Sequence, residues 1–386
     1  MTPEEILPDE LLERIRGRAA GYDQDNSFFH EDLAELAAAG YLKVFVPVPD
    51  GGLGLGLEAA AALQRRLATA APATALAVNM HLVWTGVAHV LAARGDDSLG
   101  FVLKEAGQGE VFAFGISEAG NDSMLFDSGT TAAPQDDGGY SFTGRKIFTS
   151  LSPGWSRLGI FGKDAAARNG DGELVFGFIE RATPGHETLT DWNTLGMRAS
   201  QSNTTLLQGA MVPAERIFRK LPVGPNQDPL IFAIFACFET LLAAVYTGIG
   251  ERAFTLAVEA AKRRSSAKYG GRSYAQDPDI RWKIAGAAMA MDGIQPQLAS
   301  IAHDVDALVD HGPQWFPKLV GLKIRATENA RAVVDTAIRV SGGSSYFRGS
   351  ELERLYRDVL AGIFHPSNEE SAHSTVANAW LGPLEQ

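Results

Sequence analysis

The stretch Tyr140-Ser141-Phe142-Thr143-Gly144-Arg145-Lys146-Ile147-Phe148-Thr149-Ser150 decides how the chain is read. Tyr140 and Phe142 alternate with Ser141 and Thr143, the period of a half-buried strand. Gly144 predicts a hairpin turn, and the residues after it a second strand carrying an aromatic ring and two hydroxyls. Val175, Gly177 and Ile179 alternate with Leu174, Phe176 and Phe178, so a strand there is apolar on both faces. Thr204 to Leu207 reads as a further short strand. These predict a β-domain over residues 111–222. On both sides the period changes to that of a helix. In residues 1–110, Leu33, Leu36 and Ala37, then Ala59, Ala62 and Leu63, recur at helical spacing. Breaks fall at Gly40, between Pro47 and Gly56, and at Pro72, so about five helices fit. In residues 223–386, Phe254, Ala257, Val258 and Ala261 form one stripe. Lys262, Arg263 and Arg264 follow, where cations suit a helix end. Long helices fit 278–311, 315–341 and 350–363. Helices, then strands, then helices is an α+β order, mostly α, and not the strand–helix alternation of a doubly wound sheet.

Composition narrows the function classes. The 386 residues suffice for two or three domains with a large core. A formal net charge of −12 argues against a general nucleic-acid binder, which needs a basic footprint. Cys237 is the only cysteine, which excludes an intrachain disulfide and a cysteine-cluster metal site. The acidic N-terminus lacks an apolar signal region, and no long uncharged apolar run suggests a membrane span. A cytoplasmic protein without a metal is the expectation.

The familiar loops are missing. Gly51, Gly52, Gly54 and Gly56 imitate a dinucleotide fingerprint, but only the short run Val44 to Val46 precedes them. There is no Walker loop, no HExxH and no nucleophile elbow. Four stretches carry positive signals, each of which would also suit an ordinary turn or strand. Phe114 to Ser123 offers backbone N–H groups and hydroxyls to a polar ring edge or a phosphate. Phe148 beside Thr149 and Ser150 could flank a flat heteroaromatic ring. Gly196-Met197-Arg198 places an arginine at a tight backbone turn, ready for an anion. Gly342-Gly343 ends a long helix and leaves room near the backbone.

Taken in order, these stretches resemble the acyl-CoA dehydrogenase superfamily of flavoproteins over about residues 30–380. Ile116 to Ser123 looks like the family's flavin loop, with Ser117 and Ser123 at its hydroxyl positions. Arg145 to Ser150 looks like its "G-T-K-x-W-I-T-N" motif, with Phe148 at the flavin-stacking Trp. Leu195 to Ser200 matches "L-G-M-R-A-S", and Glu353 to Asp358 matches "x-R-L-Y-R-D". The resemblance implies a helical N-terminal domain, a central β-barrel or sandwich and a C-terminal four-helix bundle. It implies FAD held by Ile116, Ser117, Gly120, Ser123, Phe148, Thr149, Ser150 and Asn368, with Gly342 and Gly343 meeting a neighbouring subunit's FAD in a homotetramer or homodimer. Arg198, Phe235, Phe238 and Leu242 are the implied substrate contacts.

The departures bear on the reaction. The family's usual glutamate falls here on Pro366 or His365, and neither is a carboxylate. Some branches place the base on the first helix of the C-terminal domain, where Glu239 lies, one residue from that position. With Glu239 as base the resemblance implies α,β-dehydrogenation of an acyl-CoA, with an electron-transfer protein as partner. Related flavin monooxygenases carry two histidines instead. With His365 and His81 the implied enzyme uses reduced flavin (FMN in this case) from a reductase, together with O₂. A flavin-binding protein without activity is the third reading. The dehydrogenase is the reading preferred on sequence.

Overall fold

The computed structural model describes residues 2–384 apart from 122, 268 and 269; Asp122, within the expected flavin loop, thus lies outside the described residues. The N-terminal helices are α1 (Pro3–Ile6), α2 (Asp9–Asp25), α3 (His30–Ala38), α4 (Leu57–Ala68), α5 (Pro72–Ala92) and α6 (Gly100–Gly107). Proline at its first position starts α5, where the missing N–H costs nothing. The run Val44 to Val46 is buried but forms no strand, and Gly52 lets the chain fold back against the Val46 carbonyl. The glycines that imitate a dinucleotide loop are therefore a packing turn.

Strands follow from Phe112: β1 (Phe112–Gly115), β2 (Thr131–Pro134), β3 (Tyr140–Lys146), β4 (Arg157–Asp164), β5 (Glu173–Glu180), β6 (His186–Thr188), β7 (Thr205–Val212) and β8 (Ile217–Pro222). They form one mixed sheet in the order β6-β7-β3-β2-β4-β5-β8. β1 shares the edge of β4 with β2: Phe112 to Gly115 run parallel to Arg157 to Ile160, and Thr131 stands opposite Lys163. The two-faced pattern of β5 has a direct cause. Val175 and Ile179 pack with Phe142, Ile160 and Val212 into the sheet's own core. Leu174, Phe176 and Phe178 join the helical core on the other face. The turn expected at Gly144 is absent. β3 runs through it with a register shift at Phe142/Thr143, and the missing side chain makes room for Thr130, which immediately precedes β2.

The C-terminal helices are α7 (Pro229–Arg263), α8 (Pro278–Asp292), α9 (Ile294–Asp306), α10 (Trp315–Ser341), α11 (Glu351–Val359) and α12 (Glu369–Leu381). Asp228 caps α7, its carboxylate accepting from the Leu230 N–H at 2.8 Å. The helix expected over 278–311 is two, because Pro296 has no N–H for the Asp292 carbonyl and the chain restarts after Gly293. By length and apolarity α5 and α7 could each cross a membrane, but 89% and 83% of those windows lie inside the fold. They are core helices, and α7 packs against α4, α5 and α10.

Candidate active site

Four segments carry the residues expected at a flavin or substrate site. The first is the turn after β3. The Ile147 N–H donates to the Ser117 carbonyl at 2.9 Å, which ties this turn to the loop of residues 116–123. Phe148 and Leu151 then adopt left-handed φ values of 54° and 69°. Non-glycine residues do so rarely, and such strain clusters at ligand sites. The ring of Phe148 stays half exposed, edge-on to Trp192 at 6.1 Å between centroids. Behind it the hydroxyls of Ser150, Ser202 and Ser200 form a buried chain, each step 2.7 Å. Thr149 is buried and accepts from the Thr205 hydroxyl at 3.3 Å.

The second segment is the 116–123 loop, anchored by Glu118. Its carboxylate accepts from Lys146 Nζ at 2.5 Å, Thr130 Oγ1 at 2.6 Å, and Ser128 Oγ and the Gly129 N–H at 2.7 Å. Burial pushes its pKa up, but the Lys146 ammonium and the other donors outweigh burial and bring it down to about 2. Burial in turn lowers Lys146 to about 8, with Glu118 opposing. The pair is missed in the sequence reading although both residues lie inside the quoted motifs. Their 28-residue separation hides the contact. Within the loop Ile116 is buried, Gly120 takes φ 73° and Ser123 is exposed.

The third segment is the end of α10. Gly342 takes φ 70° with the Arg264 guanidinium against it, while Gly343 faces open space. Arg264 donates to the Val340 carbonyl at 3.2 Å and also to that of Ser341.

The fourth is the turn between α11 and α12, held from below by Lys323. This lysine is fully buried and donates to the carbonyls of Gly362, His365 and Ser367 at 2.8–2.9 Å. Sequence reading missed it too. The signal was a lysine on the apolar stripe of Leu319, Leu322, Ala326 and Ala330. Glu239 holds the same turn from α7: its Oε1 accepts from the Ser367 N–H at 3.0 Å and Oγ at 2.8 Å. Its Oε2 is buried without a partner among the described residues. Burial raises Glu239 to about 7 against the pull of Lys323 and Ser367. Thr240 Oγ1, Tyr246 Oη, Thr327 Oγ1 and His365 Nε2 are also buried and unpartnered among the described residues, and the Tyr246 and His365 rings lie 5.8 Å apart. Burial, aided by Lys323, lowers His365 to about 3, so its imidazole is neutral.

Other expected residues take different places. His81 does not reach the site. It is fully buried in α5, Nε2 lies 2.7 Å from the Leu42 carbonyl, and Nδ1 accepts from the Phe112 N–H at 3.1 Å. Both ring nitrogens are used, and burial lowers its pKa to about 4. Leu242 is likewise fully buried. Phe238 stacks on Phe114 of β1 at 5.6 Å, and Phe235 meets Phe316 edge-on at 5.1 Å. Arg198 spends its guanidinium on the carbonyls of Asp23 and Thr194 and on Asn193. Asn368 caps α12 through the Ser371 N–H at 3.0 Å.

The strained turn, the exposed Phe148 ring and the hydroxyl chain suit a flat, polar-edged cofactor. Comparison with known proteins agrees. Residues 9–99 match the model of the acyl-CoA dehydrogenase N-terminal domain, and 240–370 that of the C-terminal domain. An amino sugar nitrososynthase of Streptomyces rubradiris is 29% identical, covering 93% of this chain and 84% of its own. A putative acyl-CoA dehydrogenase of Bacillus subtilis is 28% identical, at 96% and 94% coverage. A dibenzothiophene monooxygenase of Rhodococcus erythropolis is 23% identical, at 92% and 88%. The solved structure of KijD3 in complex with FMN and a dTDP-amino-keto-sugar superposes with a TM-score of 0.85 and 26% identity, covering 97% of this chain and 92% of that one.

Proposed function

We propose that this chain, which belongs to the acyl-CoA dehydrogenase superfamily of flavoproteins, is a flavin-dependent monooxygenase that uses reduced flavin and O₂. One observation carries the reading. Dehydrogenation needs a carboxylate free to take a proton from substrate carbon. Among Phe364, His365, Pro366 and Ser367 there is none, and Glu239 has one oxygen committed to Ser367. The preference on sequence for the dehydrogenase is reversed on that ground. The nitrososynthase and monooxygenase among the similar proteins support the change.

Reduced flavin, when bound, supplies the two electrons that divide O₂ between the substrate and a water molecule. Ser117, Phe148, Thr149 and Ser150 would hold its ring, and Gly342 and Gly343 would meet the flavin of a second copy. FMN, as in the KijD3 complex, is the form that suits this reading, delivered by a separate reductase. The chain supplies positions for protons. The neutral imidazole of His365 can accept a proton from a substrate N–H or O–H without first losing one of its own. Lys323 and Glu239 fix the turn that carries it. The Ser150–Ser202–Ser200 chain can rotate to donate or accept at its open end.

The dehydrogenase remains a second reading on one specific observation: Glu239 Oε2 is unpartnered and its pKa lies near neutrality, which suits a base. One pair of assays separates the two. The monooxygenase reading expects butyryl-CoA to leave the bound flavin oxidised under anaerobic conditions. It expects an oxygenated amine, phenol or thioether product once a flavin reductase, NADH and O₂ are added. Anaerobic bleaching by butyryl-CoA would sink it.

A further inference from the structure

Away from these four segments, a cavity of about 600 Å³ opens where all three parts of the chain meet. Its walls are α2, the turn of residues 194–198 and the start of α11, and the size suits a small-molecule ligand. Five arginines and three carboxylates line it, on a chain whose overall charge is −12. A local positive concavity on an acidic protein concentrates anions.

The pairing of those charges is lopsided. Arg357 takes Asp23 in two contacts, at 2.9 and 2.6 Å, and Glu353 in two more, at 2.6 and 3.0 Å. Glu351 is held by Arg252 at 2.8 and 2.7 Å. Each of the three carboxylates is thereby hydrogen-bonded to an arginine, Asp23 and Glu353 sharing Arg357. The Arg354 guanidinium has neither a hydrogen bond nor an ion pair among the described residues, although the residue is only 7% exposed and its Nε is shut off from solvent; the buried Asp358 carboxyl feels its charge but forms no hydrogen bond or ion pair with it. A buried, unpaired guanidinium is costly unless something neutralises it. Arg348, exposed at the rim, also has no partner among the described residues. Between them begins α11, whose first residue follows Ser350, and the Ser350 hydroxyl makes no cap. The first-turn N–H groups of α11 therefore add donors and a positive helix end to the same wall.

We infer that this cavity binds the phosphoryl group of a small anionic molecule, with Arg354 and Arg348 as its principal ligands. Two forked guanidinium groups beside a helix N-terminus match the several oxygens of a phosphoryl group. The bound anion supplies the hydrogen-bond acceptors that the Arg354 guanidinium otherwise lacks. The inference is independent of the reaction proposed above, since no residue assigned to the flavin or to proton transfer takes part.

Isothermal titration of the flavin-loaded protein with inorganic pyrophosphate at low salt tests it. The expected result is saturable binding at one per chain, weakened at least tenfold in Arg354→Gln and in Arg348→Ala. Arg348 is a surface side chain, so its variant decides the matter even where Arg354→Gln folds poorly. No saturable binding, or undiminished binding in Arg348→Ala, overturns the inference. So does binding seen only before flavin is loaded, because the ion would then occupy the flavin cleft. Tenfold tighter binding of citrate than of pyrophosphate overturns the phosphoryl assignment.

Discussion

Two buried glutamate–lysine couples flank the candidate site, and chemistry that looks the same on paper has opposite consequences in them. Lys146 donates directly to Glu118, which collects hydroxyl and amide donors as well and drops to about 2. Lys323 spends its donors on three carbonyls of the 362–367 turn, so Glu239 receives only Ser367 and rises to about 7. The difference lies in where the lysine's hydrogens go and in burial, which is complete for Glu239 and partial for Glu118. The first couple is a charged brace under the 116–123 loop at neutral pH. The second holds a turn and leaves one carboxylate oxygen free to titrate near neutral pH.

Removing the lysine should expose that difference most strongly. Lys146→Met removes the charge that does most to hold Glu118 down and leaves its carboxyl group without its lysine, and breaking a buried pair in this way costs about 3–5 kcal/mol. Lys323→Met should cost less at pH 6, where Glu239 can take up a proton and become neutral. Urea unfolding of both variants at that pH ranks them. Equal losses would mean that the two couples are the same device.

The pH dependence is the next largest effect, and it has opposite signs. Glu118 is held below its ordinary value, so its contribution is present above pH 4.5 and lost as pH falls through about 2. Glu239 is held above its ordinary value of 4.5. The folded state then binds the extra proton, and stability falls as pH rises from 4.5 to about 7. A shift of that size corresponds to about 3 kcal/mol at most. Glu239→Gln should flatten this decline in thermal unfolding at pH 5 and pH 7.5. A decline that persists in the variant would assign it to other groups.

Much of the fold was legible in the sequence, because period 2 and period 3.6 leave different traces in Tyr140–Thr143 and in Phe254–Ala261. The exceptions have physical causes. Apolar periodicity carries through Gly293, so the break before α9 was visible only as Pro296. Gly144 reads as a turn when its task is to let Thr130 approach. Charge partnerships are hidden by separation: Glu118 pairs across 28 residues and Glu239 reaches Ser367 across 128. His81 looked available because nothing local reveals that the Leu42 carbonyl and the Phe112 amide claim both its nitrogens.

The two sides of the site should also differ in what they do for turnover. His365 belongs to the turn that Lys323 holds, and losing a positioned proton acceptor lowers rates by about 10²–10⁴. His365→Ala should therefore lower kcat at least a hundredfold in the coupled reductase assay, while flavin affinity stays within twofold. An unchanged kcat would remove the imidazole from proton transfer. A lost flavin would make the turn a binding element like the loop opposite.

Phe148 gives the smallest effect and the mirror image. It lies beyond the Glu118–Lys146 brace, half exposed and in a strained backbone, with no titratable atom to contribute to chemistry. Its ring can offer only a face or an edge to another flat ring, and aromatic pairs of this kind contribute about 0.5–1.5 kcal/mol beyond the area they bury. Phe148→Leu keeps most of the apolar area and removes the π surface. Flavin binding, followed by fluorescence quenching, should weaken by about three- to tenfold, with kcat at saturating flavin within a factor of about two. A large fall in kcat at saturation would place Phe148 among the groups that orient the reacting ring, and the division between a binding side and a working side would fail there.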